Sequence, residues 1–406
     1  MSDAAPSPAR EPSVWTNPVY VALFSAQAAT LTGSGVSAIA LGMLAFQLVG
    51  ANVSEVVGIV LTIRIAARVL VSPLAGQVAG LVGTRGAMLL CDATAALGVL
   101  VFFFAQDIWH IYAGAVVLFV GDALFTPLYK ATIPRVVTPT QYPKALAYSS
   151  MAYQISTIGG PAVAGLVVST IGIRGNFLLD LATYAVSMAV VWWLPRRYFQ
   201  TRAERAAAAA GGNKPRALDG LRAVFGRRML REAFLLEWHS GISGGLILVA
   251  TVDYVKTTLQ GSDSAYAWVM ATYGLGALAG AWLYSLGGER IHRVVIAIVP
   301  WALTAVLVAV TLAPSYLLLV ACWILAGAGG VMVNVRANQY LAENSVEAER
   351  EAVYAAQFSL SHLIWGFTYP LAGFATTGLG FYGTCWLFAG LNLLLILVRK
   401  WLHTRD

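Results

Sequence analysis

Long apolar runs recur along the whole chain, and they constrain its fold more than any other feature. A helix that crosses the roughly 30 Å hydrocarbon core of a bilayer needs about 20 apolar residues. Twelve such runs can be counted: Val19 to Gln47, Val56 to Ala79, Ala87 to Ala105, Ile111 to Ile133, Ala145 to Ile171, Phe177 to Leu194, Ala233 to Val255, Ala265 to Leu286, Val294 to Leu312, Tyr316 to Leu341, Ala352 to Thr376 and Tyr382 to Val398. The pattern predicts an all-α membrane protein with twelve transmembrane helices, which we number as spans one to twelve.

The composition excludes an ordinary soluble protein. Hydrophobic residues make up 58% of the 406 residues and charged residues only 11%, whereas soluble domains are about 45–50% apolar and about 25% charged. The net charge of +7 could indicate nucleic acid as a partner. Because the basic residues lie between apolar runs, we expect a lipid bilayer as the partner and no nucleic acid.

Sequence motifs typical of enzymes are missing. The chain contains no P-loop, no GxSxG, no HExxH and no Cys/His cluster. Cys91, Cys322 and Cys385 are far apart, and each lies in or at the end of an apolar run. We therefore expect no enzymatic activity, no disulfide, no metal and no cofactor, so the energy for any transport must come from a gradient.

One polar interruption, from Arg196 to Glu232, divides the chain into two apolar halves. It carries ten Lys or Arg residues against three acids. With both termini in the cytoplasm, the 26 Lys and Arg residues all lie on the inner side except Arg64, Arg68, Arg174 and Lys256. Positively charged loops stay cytoplasmic, so this bias predicts the orientation in a plasma membrane or bacterial inner membrane.

The same pattern predicts five segments. They are a disordered cytoplasmic N-terminus (1–18), a six-helix bundle (19–195), a basic cytoplasmic linker (196–232), a second six-helix bundle (233–398) and a cytoplasmic tail (399–406). The linker has the composition of a flexible tether followed by a surface helix. Recognition of phospholipid by its basic cluster is the alternative interpretation.

Short repeats indicate that the two halves are copies of one unit. The segment LAGQVAGLVGTR, from Leu74 to Arg85, recurs as LAGAWLYSLGGER, from Leu278 to Arg290. The segment GPAVAGLVVSTIG from Gly160 resembles YPLAGFATTGLG from Tyr369. Parallel repeats of six helices around a site at the membrane midplane are a recurring transporter design.

On these features the chain resembles the major facilitator superfamily over essentially its whole length. Six plus six spans, a long cytoplasmic middle loop and glycine-bearing loops after spans two and eight are typical of that family. The stretch from Phe125 to Leu166 is similar to the branch that holds macrolide-efflux and enterobactin-exporter proteins. The resemblance implies two pseudo-symmetric bundles that rock about a central site, and we expect a monomer.

The resemblance also implies residues for hinge movement and gating. Gly76 and Arg85 match the family's loop motif between spans two and three, although Gly80 and Leu81 stand at its acidic and basic positions. In span five, the exporter-type motif of the family falls on Gly159, Gly160, Pro161 and Gly165. Small residues let a neighbouring helix approach and proline permits a bend. Ordinary tight packing is the alternative.

Two arginines lie within the membrane in span two. A central arginine costs about 2.5 to 3.5 kcal/mol on insertion scales, so Arg64 and Arg68 are expected to face protein or water. They are four residues apart and share one helical face. Asp122 of span four lies at the same level, roughly 16 Å below the outer surface. The three form either a structural ion pair or a central site where arginine binds an anionic cargo group and Asp122 exchanges it for a proton.

Spans one and seven add further polar candidates. The duplication places Gln27 opposite Glu237, and the resemblance puts span seven on the wall of the cavity. Glu237 either takes part in coupling or extends towards Arg231 at the membrane surface. His239 is either a titrating cavity residue or a hydrogen-bonded residue in helix packing.

Span eleven carries His362, Trp365 and Tyr369 at helical spacing. The resemblance places this span across the cavity from span two, so His362 is expected to approach Arg64. Aromatic residues there would suit a planar or amphiphilic cargo through stacking and cation–π contacts, and a plain packing stripe is the alternative. Asp92 and Asp180 are expected to be structural.

Together these features favour a secondary transporter that works by alternating access. The leading hypothesis is proton-coupled export of a small amphiphilic organic molecule, such as a drug or siderophore. An importer or facilitator of a small anion or metal chelate is one alternative. A lipid flippase is the other.

Overall fold

The computed structural model describes residues 13–201, 217–345 and 350–404. Most of the expected N-terminal segment (1–12), the middle of the expected linker (202–216) and the last two residues of the expected tail lie outside the described residues. Over the described ranges the regular structure is helical, without strands, which confirms the all-α class.

The described residues form twelve α-helices. They are α1 (Pro18–Val49), α2 (Val53–Leu70), α3 (Ala75–Phe103), α4 (Ile108–Val136), α5 (Tyr142–Trp193), α6 (Ala217–Gly226), α7 (Arg228–Asp253), α8 (Asp263–Leu286), α9 (Gly288–Ala297), α10 (Val299–Ala309), α11 (Tyr316–Asn344) and α12 (Arg350–His403). Short 3-10 turns lie at Val14–Thr16, Gly50–Asn52, Ser72–Leu74 and Arg196–Tyr198, and a π turn extends α7 at Tyr254–Thr258.

Three glycines interrupt the helical backbone inside three of the helices. Gly83, Gly172 and Gly380 have φ values of 77°, 75° and 71° inside α3, α5 and α12. Only glycine adopts this left-handed backbone without steric strain. Gly172 and Gly380 occupy equivalent places in the two repeats, so the turn was duplicated with its helices.

The chain reverses its direction within α5. A Cβ atom on Gly33 of α1 would meet the side chain of Asp180, and one on Gly35 would meet the backbone of Ser156 and Gly160. Both limbs of α5 therefore lie against the same stretch of α1. Spans five and six are the two limbs of this one helix.

The number of membrane crossings is consistent with the sequence pattern. Seven helical stretches in the described chain are long and apolar enough to cross a membrane, or eight if α9 and α10 count together. One of these stretches covers residues 18–103, 86 residues in all, which is far more than a single crossing needs. Divided at their turns, the stretches accommodate the twelve predicted spans.

Span nine differs from its prediction. The apolar run predicts a helix from Val294 to Leu312, whereas the chain forms α9 from Gly288 and then α10, which is bent away from α9 by 52°. Gly288 has a φ of 50° and starts the helix early. Pro300, in the first turn of α10, has no N–H and its ring clashes with the preceding turn, so α9 cannot continue straight through it.

Two further helix ends differ from the prediction. α2 ends at Leu70 and a 3-10 turn leads into α3, so span two is not one continuous helix to Ala79. α7 begins at Arg228 rather than Ala233. Glu232 lies in this extra turn because its side chain is buried against α12.

The surface helix expected in the linker is α6. Its Val224 is wholly buried, and the helix packs against α12 and α7. Arg227, between α6 and α7, has an extended backbone. Residues 217–232 of the linker are therefore attached to the C-terminal half, whereas its first residues contact the N-terminal half, where Gln200 accepts a hydrogen bond from the Thr84 N–H at 3.1 Å.

The two halves meet along α2 with α12 and along α5 with α8. A Cβ atom on Gly58 would lie 2.6 Å from the carbonyl oxygen of Tyr369, and one on Gly373 would lie 2.7 Å from that of Ser54. A Cβ atom on Gly165 would lie 3.0 Å from α8. These contacts, which we call the outer seal, lie towards the helix ends that the charge pattern predicts to be extracellular.

Replacing Gly58 with alanine should destabilise the protein, because the added methyl group meets a backbone oxygen that cannot rotate away. Overpacking of this kind costs about 1–3 kcal/mol, so thermal unfolding of purified Gly58→Ala should have a lower midpoint than wild type. Gly378→Ala is the matched control, since no atom lies within 4 Å of its added Cβ. A wild-type midpoint for Gly58→Ala would contradict the outer seal.

Candidate functional site

A small cavity lies between α1, α2, α3 and α4. Its volume is about 40 Å³, and its polar lining comes from Ser34, Ser37, Arg64 and Asp122. One water molecule needs about 10–15 Å³ of volume open to its centre, so the cavity has room for a few water molecules and not for an organic cargo. The structure thus brings Arg64 and Asp122, two of the predicted site residues, to one cavity.

A tyrosine holds the carboxylate of Asp122. The hydroxyl of Tyr184 donates to Asp122 Oδ1 at 2.9 Å and lies 3.2 Å from the hydroxyl of Ser34. Arg64 makes a cation–π contact, with its guanidinium carbon 5.8 Å from the ring centre of Phe119. No ion pair joins Arg64 to Asp122 among the described residues. The arginine acts on the carboxylate across the cavity.

His362 of α12 brings the second half towards the arginines. Arg64 and Arg68 are both near enough to act on it electrostatically. Its Nδ1 donates to the carbonyl oxygen of Phe358 at 2.8 Å, and the two rings are 3.9 Å apart. In this neutral tautomer Nε2 is the nitrogen that can accept a proton.

The other candidates of spans seven and eleven pack against one another. Glu237 of α7 accepts a hydrogen bond from the Gln357 amide of α12. Trp365 packs onto Gly244 of α7, and its ring lies 5.4 Å from that of Tyr369. Tyr369 is buried and belongs to the outer seal.

Gln27 of α1 is half-buried, and its Oε1 has no hydrogen-bond partner in the described chain. A buried amide oxygen of this kind is free to accept a hydrogen bond from a ligand or from water. Gln27 thus stays a candidate for the polar wall of span one.

His239 lies in the interior of the C-terminal half. It is wholly buried, and its Nδ1 donates to the Asn392 side chain at 2.9 Å while Nε2 accepts from Arg399 at 3.3 Å. Arg399 is also ion-paired with Glu232, and Asn392 donates to Ser243 at 3.0 Å. This geometry supports the interpretation of His239 as a hydrogen-bonded packing residue.

The loop between spans two and three is fixed to the N-terminal half. Arg85 Nε donates to the carbonyl oxygen of Val191, near the end of α5, at 3.1 Å. Gly76 is exposed in the first turn of α3. The turn itself is made at Gly83, which the loop motif did not single out.

The glycine motif of span five lies in α5 and has two neighbours. Gly159, Gly160 and Pro161 are in the first limb, where Gly160 approaches the backbone of Gly35 of α1. Gly165 faces α8 in the outer seal. The motif therefore allows α5 to pack closely against α1 of the N-terminal half and against α8 of the C-terminal half.

Sequence reasoning missed the partners that hold the charged groups. For Tyr184 a signal was present, because Asp180, Tyr184 and Ser187 recur at helical spacing in an otherwise apolar run. Asp92 accepts a hydrogen bond from Ser187 at 2.7 Å in a wholly buried setting. For Gln357 the sequence showed no comparable spacing, because its partner Glu237 lies on another helix, α7.

Two bundles of membrane helices related by pseudo-symmetry, with charged side chains near their interface, define a polytopic membrane protein of a transporter fold. The sequence profile of the Major Facilitator Superfamily matches residues 23–248 and again residues 233–406. The chain belongs to this superfamily.

Relatives and solved structures agree with that assignment. A protein of Yersinia enterocolitica whose name assigns it to multidrug resistance, MdtD, is 27% identical over 150 residues, which are 37% of this chain and 31% of MdtD. The MFS-type transporter YfiS of Bacillus subtilis, whose function is not characterised, is 24% identical over 222 residues, covering 52% of this chain and 50% of YfiS. The match thus spans about a third of MdtD and half of YfiS.

Two solved structures share the fold. A POT family transporter in complex with a thioalcohol-conjugated peptide aligns with a TM-score of 0.72 at 10% identity, over 95% of this chain and 96% of that chain. The human organic anion transporter MFSD10 aligns with a TM-score of 0.60 at 16% identity, over 96% and 100% of the two chains. At these identities the likeness concerns the fold alone.

Removing the charge of Glu232 should destabilise the C-terminal half, because Arg399 would then be buried without its partner. Glu232 and Arg399 are only 4% and 8% exposed, and breaking a buried pair costs about 3–5 kcal/mol. Thermal unfolding of Glu232→Gln should show a large drop in the midpoint.

Two comparisons sharpen this test. The double variant Glu232→Leu with Arg399→Leu removes both charges and should recover much of the loss. Glu289→Gln, at an exposed acid, should behave like wild type. A Glu232→Gln protein as stable as wild type would contradict the buried pair.

Proposed function

We propose that this chain is a secondary active transporter that exports a small amphiphilic organic molecule in exchange for protons. The observation that carries the proposal is the placement of Arg64 and Asp122 on one cavity, with His362 of the other half within electrostatic reach of Arg64. Charged side chains deep in a membrane are costly and mark substrate or ion pathways. The name of the MdtD relative supports a drug-like cargo.

Alternating access would use the pseudo-symmetric interface between the halves. In the outer seal Gly58 and Gly373 lie against backbone atoms, and Gly165 lies against the small side chain of Ala267. Such surfaces suit rigid-body rocking about a fixed site. We propose that residues 19–195 and 233–398 move as the two units of a monomer, joined by the linker 196–232, with both termini in the cytoplasm.

Asp122 is the proposed proton carrier. A cargo with a cationic group binds the deprotonated carboxylate, and a proton arriving from outside neutralises Asp122 and weakens that hold. Cargo and proton then compete for one group, which produces exchange in opposite directions.

The paired arginines favour one alternative function. If the cargo is an anion, it binds Arg64 and Arg68 best when Asp122 is protonated and no longer competes for them. Cargo and proton would then travel together, which corresponds to proton-linked uptake of a small anion or chelate. The sign of the coupling therefore distinguishes the two functions.

Flux through purified protein in liposomes tests the coupling. A thermal-shift screen of cationic dyes, macrolides and ferric siderophores first identifies a ligand, because binding to the folded state raises its apparent stability. For export, acidifying the outside should accelerate loss of preloaded cargo, and for uptake it should accelerate accumulation. Flux that ignores the pH gradient would refute proton coupling.

At the site, Asp122→Asn and Arg68→Ala should each abolish gradient-driven flux while the protein stays folded. Asp122→Asn removes the titrating group, and Arg68→Ala removes a charge that acts on it. Asp107→Asn is the control, since Asp107 caps α4 in an exposed loop, and it should transport normally. Normal flux in both site variants would place the site elsewhere.

A further inference from the structure

A second and larger cavity lies along α9, in the C-terminal half, away from the proposed cargo site. Its volume is about 330 Å³, and it is lined by Arg290, Arg293, Val294, Ala297 and Ile298. All five residues are exposed, so the cavity is an open groove. Ligand pockets usually measure about 300–1,000 Å³. The groove is therefore large enough for part of an organic ligand.

The groove is basic at one end and apolar at the other. Its five residues stand at positions i, i+3, i+4, i+7 and i+8, which form one stripe along a helix. The two arginines come first, at the end of span nine that the charge pattern predicts to be cytoplasmic. Val294 and Ile298, further along, are 38% and 56% exposed. A ligand that fits the groove has a charged part and an apolar part in that order.

The stripe is turned away from the buried side of its helix and lies near a membrane boundary. α9 packs against α8 and α11, and α10 packs against α7, α11 and α12. Val295 and Val299, outside the stripe, are buried. The next exposed residue of the stripe is Trp301, whose ring centre lies 5.2 Å from Lys400 Nζ. Tryptophan and basic residues are both typical of the membrane–water boundary, so the apolar end of the groove faces lipid.

The charges of the two arginines are not compensated within the described chain. Glu289 stands four residues before Arg293, a spacing at which ion pairs form on helices. Neither Arg290 nor Arg293 makes an ion pair with it or with another described residue. The neighbouring His292 is turned towards α8, where its ring stacks on Tyr284 at 5.1 Å. Both guanidiniums are therefore open to an anion.

We propose that this groove binds one anionic phospholipid of the phosphatidylglycerol type from the cytoplasmic leaflet. The phosphate bridges Arg290 and Arg293 through charge-assisted hydrogen bonds, and the start of an acyl chain covers Val294 and Ile298. A zwitterionic lipid compensates its phosphate with its own ammonium group, whereas two unpaired arginines favour net negative charge. The site is separate from the linker's basic cluster, and its occupancy does not depend on what the protein transports.

Lipid binding can be measured on the purified full-length protein in detergent, without any cargo. The thermal midpoint is followed as phosphatidylglycerol or phosphatidylcholine with the same acyl chains is added. Wild type should show a saturable rise with phosphatidylglycerol and a much smaller one with phosphatidylcholine, because a ligand of the folded state stabilises it. Arg290→Gln with Arg293→Gln should need roughly 30-fold more phosphatidylglycerol, since each basic residue near anionic lipid contributes about fivefold.

Three comparisons complete the test. Arg196→Gln with Arg228→Gln removes two other exposed arginines and should respond like wild type. Ala297→Trp fills the apolar end of the groove and should lose the rise; it replaces the arginine variant if that protein fails to fold. Inorganic phosphate alone should leave the midpoint unchanged. A wild-type response in both groove variants, equal rises with the two lipids, or a full rise with inorganic phosphate would overturn the proposal.

Discussion

Hydrocarbon offers no hydrogen bonds to the backbone, and the rest of this structure depends on that constraint. Each segment within the bilayer must satisfy its own N–H and C=O groups, and a single segment does so only as a helix. A turn that joins two helices at the membrane must then be short, because irregular backbone is not tolerated within the hydrocarbon. Gly172 and Gly380 meet this demand by reversing the chain within a single residue, at φ values that other residues reach only with strain.

Once helices are the only elements, close packing must come from small residues rather than from hydrophobic collapse, because lipid tails are as apolar as leucine. The outer seal follows from this rule. Gly165 faces α8 from the first repeat, and Gly373 faces α2 from the second. Gly165 and Gly373 are equivalent positions of the two repeats, and each lies in one of the two contacts between the halves, α5 with α8 and α2 with α12. The interface is therefore pseudo-symmetric.

The sequence was enough to predict the membrane spans and the depth of the charged residues. It was not enough to predict the helix bend or the hydrogen-bond partners, which depend on tertiary contacts. Apolar length predicted the spans, and the placement of Arg64 and Asp122 on one cavity follows from their similar depth in the membrane. The bend between α9 and α10 was missed because Pro300 lies inside a uniformly apolar run. The partners of Asp122 and His239 were missed because Tyr184 and Asn392 come from helices 62 and 153 positions away along the chain, and spacing within one helix carries no information about which distant face it meets.

Buried polar atoms in the membrane helices are compensated to different degrees. Asp92 is buried and accepts a hydrogen bond from Ser187, and Glu232 is buried and paired with Arg399, so each is compensated where it stands. Asn176 is buried to the same extent and has neither kind of compensation from the described residues. An unpaired buried polar group costs about 1–3 kcal/mol, and hydrocarbon offers no water to reduce that penalty. Within the described residues the polar groups of this half therefore divide into compensated ones, such as Asp92, and the Asn176 amide, which carries the full cost of leaving water.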